Sequence, residues 1–274
     1  MRRELLGLLV AALFGCPGVL AQVRSTGPSA LWHIVHDRCV SNDQQHQNPA
    51  PCAEVVLDPG YAVLKDIVGN TQFLLIPTAR ISGIEDPAIL APGAPNYWDA
   101  AWRARSFTEQ RAGHALPRDV LSLAINSAEA RTQDQLHIHI DCVRADVHEA
   151  LAAYQHDIGT SWTSFPVALA GYRFRAMRVA QPELDGVDPF RLLAASIPAD
   201  EMRWHTLVVV GASFGSAPGF IILDDRADLA VGNRGWGEVL QDHECALGRL
   251  VSIQPVDAAR RSAEHRELLL GRRP

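Results

Sequence analysis

Gln135-Leu136-His137-Ile138-His139-Ile140 is the stretch on which the reading of this chain turns. Polar and apolar residues alternate strictly through it, which is the period of a β-strand with one buried face. Leu136, Ile138 and Ile140 then face a core, while Gln135, His137 and His139 face the other side, about 7 Å apart at each step. A row of imidazoles is a poor way to build a core. It is a good way to line a phosphate, because histidine offers a nucleophile, a proton donor or acceptor, or a cation. Taken alone, the strand leaves three readings open. The histidines can sit in solvent on a surface strand. They can form an H-x-H metal pair, which needs a third ligand such as Asp141, His114, His148 or His205. Or they can carry covalent or acid–base phosphoryl chemistry.

Working outward, residues 29–38 read as a short amphipathic helix with Leu31, Ile34 and Val35 on one side. A polar loop, 41–51, follows. Residues 54–57, 61–66 and 72–76 are strand-like, and the Gly69-Asn70 turn makes 61–76 a hairpin. Asn96 caps a helix over 97–112 that buries Trp98 and Trp102. Strand 120–125 leads into a polar loop, 126–134, whose backbone and hydroxyl donors enter the histidine strand where phosphate oxygens could be held. Beyond Cys142 the pattern predicts a helix over 146–155, a strand over 172–179 and a helix starting at Asp188-Pro189. A hairpin over 206–211 and 219–224 follows, then a helix over 236–246 ending near Cys245. The sum is an α+β fold with a catalytic region at 22–155, a C-terminal α+β region at 156–255 packed on it, and a charged tail at 256–274. Hairpins and helices recur in both halves, as a degenerate duplication would leave them.

The chain has 274 residues, 47% hydrophobic and 20% charged, an ordinary globular balance. A net charge of −6 disfavours nucleic acid as a partner. Arg2, Arg3, the apolar run Leu5 to Phe14 and the small residues before Gln22 make 1–21 an export signal or a retained membrane anchor. Leu13-Phe14-Gly15-Cys16 also permits a lipoprotein reading. Cysteine usage agrees with an oxidising compartment. Cys39, Cys52, Cys142 and Cys245 allow three connectivities. Cys39–Cys52 is favoured because it closes a polar loop without a core of its own, which stabilises by about 3 kcal/mol in the chain-entropy model. Cys142–Cys245 would then tie the histidine strand to the C-terminal half. The alternative is four free buried thiols. A zinc site is disfavoured by the lack of a C-x-x-C pair.

Several blocks extend beyond any single strand: ALWHIVHDRCV (30–40), NPAPCAEVVL (48–57), GYAVLKD (60–66), LLIPTARISGIE (74–85), LAINS (123–127), RTQDQLHIHIDC (131–142), PF (189–190) and DHEC (242–245). Together they resemble the bacterial CDP-diacylglycerol pyrophosphatase family and, more loosely, the histidine-triad superfamily with its His-φ-His-φ-His-φ-φ strand. The resemblance implies a histidine-triad-like antiparallel sheet with flanking helices. It implies hydrolysis of the diphosphate of CDP-diacylglycerol, or a related nucleotide-diphospho substrate, to CMP and phosphatidate. It departs from the superfamily at Gln135, where the first histidine would stand. His137 inherits the nucleophile's place and His139 the phosphate contact. Gln135, Thr132 and Arg131 would stabilise charge on the phosphoryl oxygens, Asn126 would orient the leaving phosphate, Asp66 would bind ribose hydroxyls and Lys65 would neutralise the diphosphate. Asp242-His243-Glu244 is expected to position Cys245, and His33 and His36 to be structural or surface residues. No metal or other cofactor is expected. The implied setting is the bacterial cell envelope, associated with the inner membrane surface, with the body on the periplasmic side as a monomer or homodimer. A metal-dependent hydrolase using His137 and His139 as ligands, or a non-enzymatic nucleotide- or lipid-binding protein, are the alternatives.

Overall fold

A computed structural model describes residues 27–250; the expected signal or anchor at 1–21 and the charged tail lie outside them. The chain enters through one continuous helical run. Its first turn is α1, Ala30–His33, widened to π geometry over Ile34–Val40 and closed by α2, Ser41–His46. The first six residues of the expected 41–51 loop are therefore helical, and the loop begins at Gln47. Leu31, Val35 and Cys39 form the buried stripe, and Cys39 is bonded to Cys52.

Three strands follow: β1, Glu54–Val56; β2, Tyr61–Lys65; and β3, Phe73–Pro77. β2 and β3 pair as the expected hairpin, Leu64 opposite Leu74. Asn96 caps α3, Tyr97–Arg103, by accepting from Asp99 N at 3.2 Å. α4, Arg105–Ala112, continues it after a break at Ala104. β4, Leu121–Ile125, precedes the histidine strand β5, Ile138–Val143, and α5, Ala145–Tyr154, leaves it. The second half supplies β6, Thr163–Ser164; β7, Arg175–Val179; α6, Pro189–Ala194, capped by Asp188; β8, His205–Phe214; β9, Ala217–Arg226; and β10, Gln241–Asp242.

All ten strands join one antiparallel sheet in the order β1-β2-β3-β5-β4-β8-β9-β7-β6, with β10 pairing β5 at Cys142 and Val143. The α+β class expected from the alternation of elements is therefore what forms. β4 pairs with β8, so the sheet runs without interruption from the first half into the second.

One sheet face carries the largest apolar cluster, in which Trp98, Trp102 and Phe190 pack on Leu123, Ile138 and Ile140. The other face is divided. Leu31, Val35, Leu74 and Ile76 form one cluster under the entry helix, and Ala124, Val147, Val208 and Leu223 form another under α5. The register shows what lies between them. Leu64, Leu74, His139, Ala124 and Val208 are successive cross-strand partners, so His139 stands in the gap between two apolar clusters on the same face. Directly opposed residues share a face, and the sheet therefore sinks the β5 histidines into a slot walled by aliphatic side chains.

The expected helix over 236–246 is replaced by a 3-10 turn, Glu238–Leu240, and by β10. Its residues have adequate helix propensity, but tertiary contacts override it. A side chain at Gly237 would meet Thr206 Oγ1 at 2.5 Å and Ile125 O at 2.9 Å. Asn126 Oδ1 accepts from Gly237 N at 2.9 Å, and Arg144 N donates to Leu240 O at 3.0 Å. The segment is drawn flat against β4 and β5, where a helix would not fit.

Candidate active site

Regular pairing of β5 starts at Ile138, so His137 sits at the strand's entrance and Gln135 precedes it in a bend. Gln135 is fully buried, and its Nε2 donates to the carbonyls of Pro77 and Ala79, both at 2.9 Å. Its side chain braces the end of β3 and does not line the cavity next to the histidines.

His137 Nδ1 lies 2.7 Å from its neighbour's carbonyl, Gln135 O. A carbonyl only accepts, so Nδ1 carries the proton and Nε2 is left with its lone pair and no protein partner. The tautomer is thus set from within the same strand. Burial pushes His137 down to about 4, the neighbouring His139 adds to the effect, and the Gln135 carbonyl only partly opposes it. At neutral pH His137 is an uncharged imidazole with one free nitrogen.

His139 stacks edge-on against His137, ring centroids 4.9 Å apart. Its Nδ1 meets Gln72 Nε2 at 2.9 Å and Glu238 Oε2 at 3.2 Å, and its Nε2 is buried with no protein partner. A buried nitrogen without a partner is unusual in a finished structure and marks a place where a ligand oxygen can bind.

Both histidines line a cavity of about 350 Å³ together with Asn126, Thr132, Asp66 and Glu238. Thr132 is exposed at its rim. Asn126 is tied to the 237–238 backbone through Oδ1 and to Glu238 Oε1 through Nδ2 at 3.0 Å, so it organises the loop opposite the histidines. Asp66 lines the wall and accepts from Val68 N at 3.0 Å. Lys65 borders the cavity, but its Nζ is turned back onto the carbonyls of Asp66 and Gly69. Arg131 does not border it; its guanidinium pairs with Glu85 at 2.6 Å and with Asp134 at 3.3 Å. His33 and His36 are exposed and both bond to Asp37. The structure thus gathers His137, His139, Asn126, Thr132, Asp66 and Lys65 around one cavity and leaves Gln135 and Arg131 as supports behind it.

Glu238 at the site escapes the sequence pattern, and His243, expected only to position Cys245, takes a place beside it. Glu238 comes from the flattened 236–246 segment. Burial alone would raise its carboxyl, but His139, the Asn126 amide, His137 and His243 together hold it below the usual range. His243 comes from the same segment. Its Nδ1 lies 2.8 Å from Asp141 Oδ2, while Asp141 Oδ1 accepts from Thr71 Oγ1 at 2.7 Å and from Cys142 N at 2.9 Å. The Asp141 carboxylate raises His243 above the ordinary histidine value, outweighing its burial. Asp141 shares the β5 face of His137 and His139, two residues further on. The disulfide Cys142–Cys245 clamps this corner, and Gly69, with a positive φ of 64°, passes so close that any side chain there would strike His243. One strand face therefore presents a neutral imidazole at one end and, at the other, an imidazole borrowed from the C-terminal segment that holds its proton more tightly than usual. Environments that push two titratable groups apart in this way divide acid and base roles.

Among the described residues, no group of three or more His, Cys, Asp or Glu is placed to hold a metal ion. The two disulfides, Cys39–Cys52 and Cys142–Cys245, are the expected pair and are those of an extracytoplasmic protein. No helix among the described residues is long and apolar enough to cross a membrane.

Comparison with known proteins adds to this geometry. A family model described as CDP-diacylglycerol pyrophosphatase matches residues 26–249. A protein of Yersinia pestis named CDP-diacylglycerol pyrophosphatase is 40% identical over 248 residues, covering 90% of this chain and 95% of its own length.

Proposed function

The chain belongs to the CDP-diacylglycerol pyrophosphatase family and is a hydrolase, and on that premise we propose that it splits CDP-diacylglycerol through a covalent nucleotidyl intermediate on His137, in a histidine-triad-like manner. The observation that carries the reading is the Nδ1 bond of His137 to Gln135 O, which leaves an unprotonated Nε2 beside the cavity. Nε2 attacks the cytidylyl phosphorus. The bond from that phosphorus to the bridging oxygen breaks, and phosphatidate departs with the electron pair. Water then attacks the same phosphorus, the P–N bond breaks, CMP leaves, and the proton released by the water is taken up within the site. Splitting one displacement into two in this way is the general advantage of a nucleophilic side chain.

The other roles follow from position. His139 Nε2 stands open to a phosphoryl oxygen. Glu238, held as a carboxylate near both histidines, orients His139 and is placed to receive the water's proton. His243, whose proton the Asp141 carboxylate holds more tightly than usual, supplies positive charge along the same strand face when it is protonated. Thr132 offers a hydroxyl at the rim, Asp66 is the acid available to ribose hydroxyls, and Asn126 holds the loop that carries Glu238. A setting at the periplasmic face of the inner membrane accords with the disulfides and with a diacyl substrate.

The test is a product assay with CDP-diacylglycerol and CDP-choline side by side, using wild type and His137→Ala. CMP and phosphatidate from the lipid substrate in wild type alone support the reading. Preference for CDP-choline would count against the lipid substrate. Equal activity in His137→Ala, or activity lost to chelation and restored by a divalent ion, would overturn the nucleophile.

A further inference from the structure

Glu238 reaches His139 from the end of a short strap, residues 233–238, and the other end of that strap is anchored on β9. Thr206 precedes Val208 by two residues and stands opposite Asp225, so both lie on the sheet face of His139. The strap runs along this face from β9 toward β5, over the ends of β8 and β4. Gly237 passes Thr206 and the Ile125 carbonyl. Gly235, with a positive φ of 72°, passes so close to Ser127 that a side chain there would meet Ser127 Cβ at 2.9 Å. Ser127 N donates to Gly235 O at 3.0 Å, and Ser127 Oγ donates to Arg234 O at 2.5 Å.

The strap starts at Asn233, which is buried. Its backbone N–H and carbonyl both pair with Asp228, at 2.9 and 2.8 Å, which closes the 228–233 turn. Its Nδ2 donates to Asp225 Oδ2 at 2.8 Å and to Arg226 O at 3.1 Å, and its Oδ1 accepts from Gly235 N at 2.9 Å. One side chain thus fixes the start of the strap to β9 and sets the direction in which it leaves. Asp225 is buried too, and among the described residues it has no ion pair and its side-chain partner is Asn233. Burial raises it to about 6, so at neutral pH it is mainly a carboxylate and the Asn233 bond is charge-assisted. Burying a carboxylate without a paired cation is costly, and what this one secures is the course of the strap.

Glu238 needs such an anchor. Its side chain is 34% exposed, so packing does not cage it. Its carboxylate meets Asn126 Nδ2 at 3.0 Å and His139 Nδ1 at 3.2 Å. Two glycines, Gly235 and Gly237, lie between it and Asn233, and glycine leaves a backbone free to shift unless both ends are fixed. Asn126 Oδ1 fixes one end through Gly237 N and Glu238 N, and Asn233 fixes the other.

We propose that Asn233 is a positioning residue for the hydrolysis: by tying the strap to Asp225 it sets where the Glu238 carboxylate stands against His139. This deepens the role given to Glu238 above and rests on it. A misplacement of about 1 Å in a reacting group costs up to about a hundredfold in rate.

The test is a double-mutant cycle on the full chain with CDP-diacylglycerol as substrate. Asn233→Ala lowers kcat about tenfold with KM within about twofold of wild type. In a Glu238→Gln background the same change costs less than about twofold, because the carboxylate it positions is gone. Equal losses in the two backgrounds would show a general structural role and overturn the proposal, as would an unchanged kcat in Asn233→Ala. Asn233→Ser keeps an oxygen for Gly235 N but gives up Asp225, and it makes the same measurement if the alanine variant does not fold. Nitrogen NMR spectra of the His139 ring need no turnover: Asn233→Ala moves the Nδ1 resonance in the direction that Glu238→Gln does. A resonance that stays at the wild-type position would overturn the proposal. If wild type does not hydrolyse the lipid, or Glu238→Gln turns over as fast as wild type, the reading above fails, while the His139 spectrum still decides whether Asn233 sets the place of Glu238.

Discussion

Two buried histidine clusters occupy the same sheet, and only one of them is open to a ligand. On β5, His137 ends on a backbone carbonyl and His139 keeps an unpaired nitrogen, and both line a cavity. On β8 and β9, His205 Nδ1 ends on Asp224 Oδ1 at 2.6 Å, and the other Asp224 oxygen is taken by Arg175 Nε at 2.8 Å. His205 and Asp224 are as buried as the β5 pair, and neither borders the β5 cavity. Burial and residue type are therefore shared. The difference is that the free ring nitrogens of His137 and His139 lie at a cavity, whereas His205 is held by Asp224 and Arg175 away from it. Closed networks of buried charge hold structure together, and breaking one is costly because the remaining charge is stranded. An open imidazole makes the complementary trade: it contributes little to stability and retains its chemistry.

The largest expected effect separates the clusters outright. His137→Ala lowers kcat/KM by at least about a thousandfold while leaving the melting temperature nearly unchanged. Asp224→Ala does the reverse, costing about 2–3 kcal/mol of stability by removing the buried partner of His205 and half-buried Arg175, with kcat per folded molecule close to wild type. Urea unfolding and steady-state kinetics on both variants check the pair, and a stability loss in His137→Ala as large as that in Asp224→Ala would erase the distinction.

Next in size is His243→Gln, for which the comparison is within the site itself. His137 loses its proton near pH 4, and His243 keeps its own above the ordinary value of 6.5. Activity should therefore rise on a limb well below 6.5 and fall on a limb above it. His243→Gln lowers kcat about 10–100-fold and removes the upper limb. Survival of that limb in the variant would take His243 out of the reaction.

The remaining effect concerns stability against pH. From pH 6.5 down to about 4, unfolded His137 binds a proton that the folded residue refuses. Stability therefore falls as pH falls through that window, by up to about 3 kcal/mol. His243 acts with the opposite sign: its stabilisation is present below the unfolded value and is lost as pH rises through the raised folded value. His137→Ala removes the first slope and leaves the second, which thermal melts across pH would show.

Period-2 alternation made β5, the two hairpins and the polar faces of His137 and His139 legible, and cysteine arithmetic reached both disulfides, because these depend on local order or on few partners. The α3 cap at Asn96 and the α6 start at Asp188-Pro189 were readable for the same reason. What was not legible depends on distant partners. Residues 236–246 have helical composition but lie flat, since Gly237 must pass against Thr206 and Ile125. That one misreading hid Glu238 and left His243 with no role beyond positioning Cys245, although the two reach His139 and Asp141 from about a hundred residues away. Gln135 belongs by alternation with the histidines, yet a bend before Ile138 turns its amide onto Pro77 and Ala79. Lys65 and Arg131 are cations in plausible positions whose charge the fold directs to a turn and to Glu85.

The central claim is that His137 forms a covalent bond to the cytidylyl phosphorus, and its most direct test is the stereochemical course of hydrolysis at that phosphorus, read with an isotopically chiral substrate. Two in-line displacements, one by His137 and one by water, predict net retention of configuration. Net inversion would mean that water attacks directly, and would contradict the account.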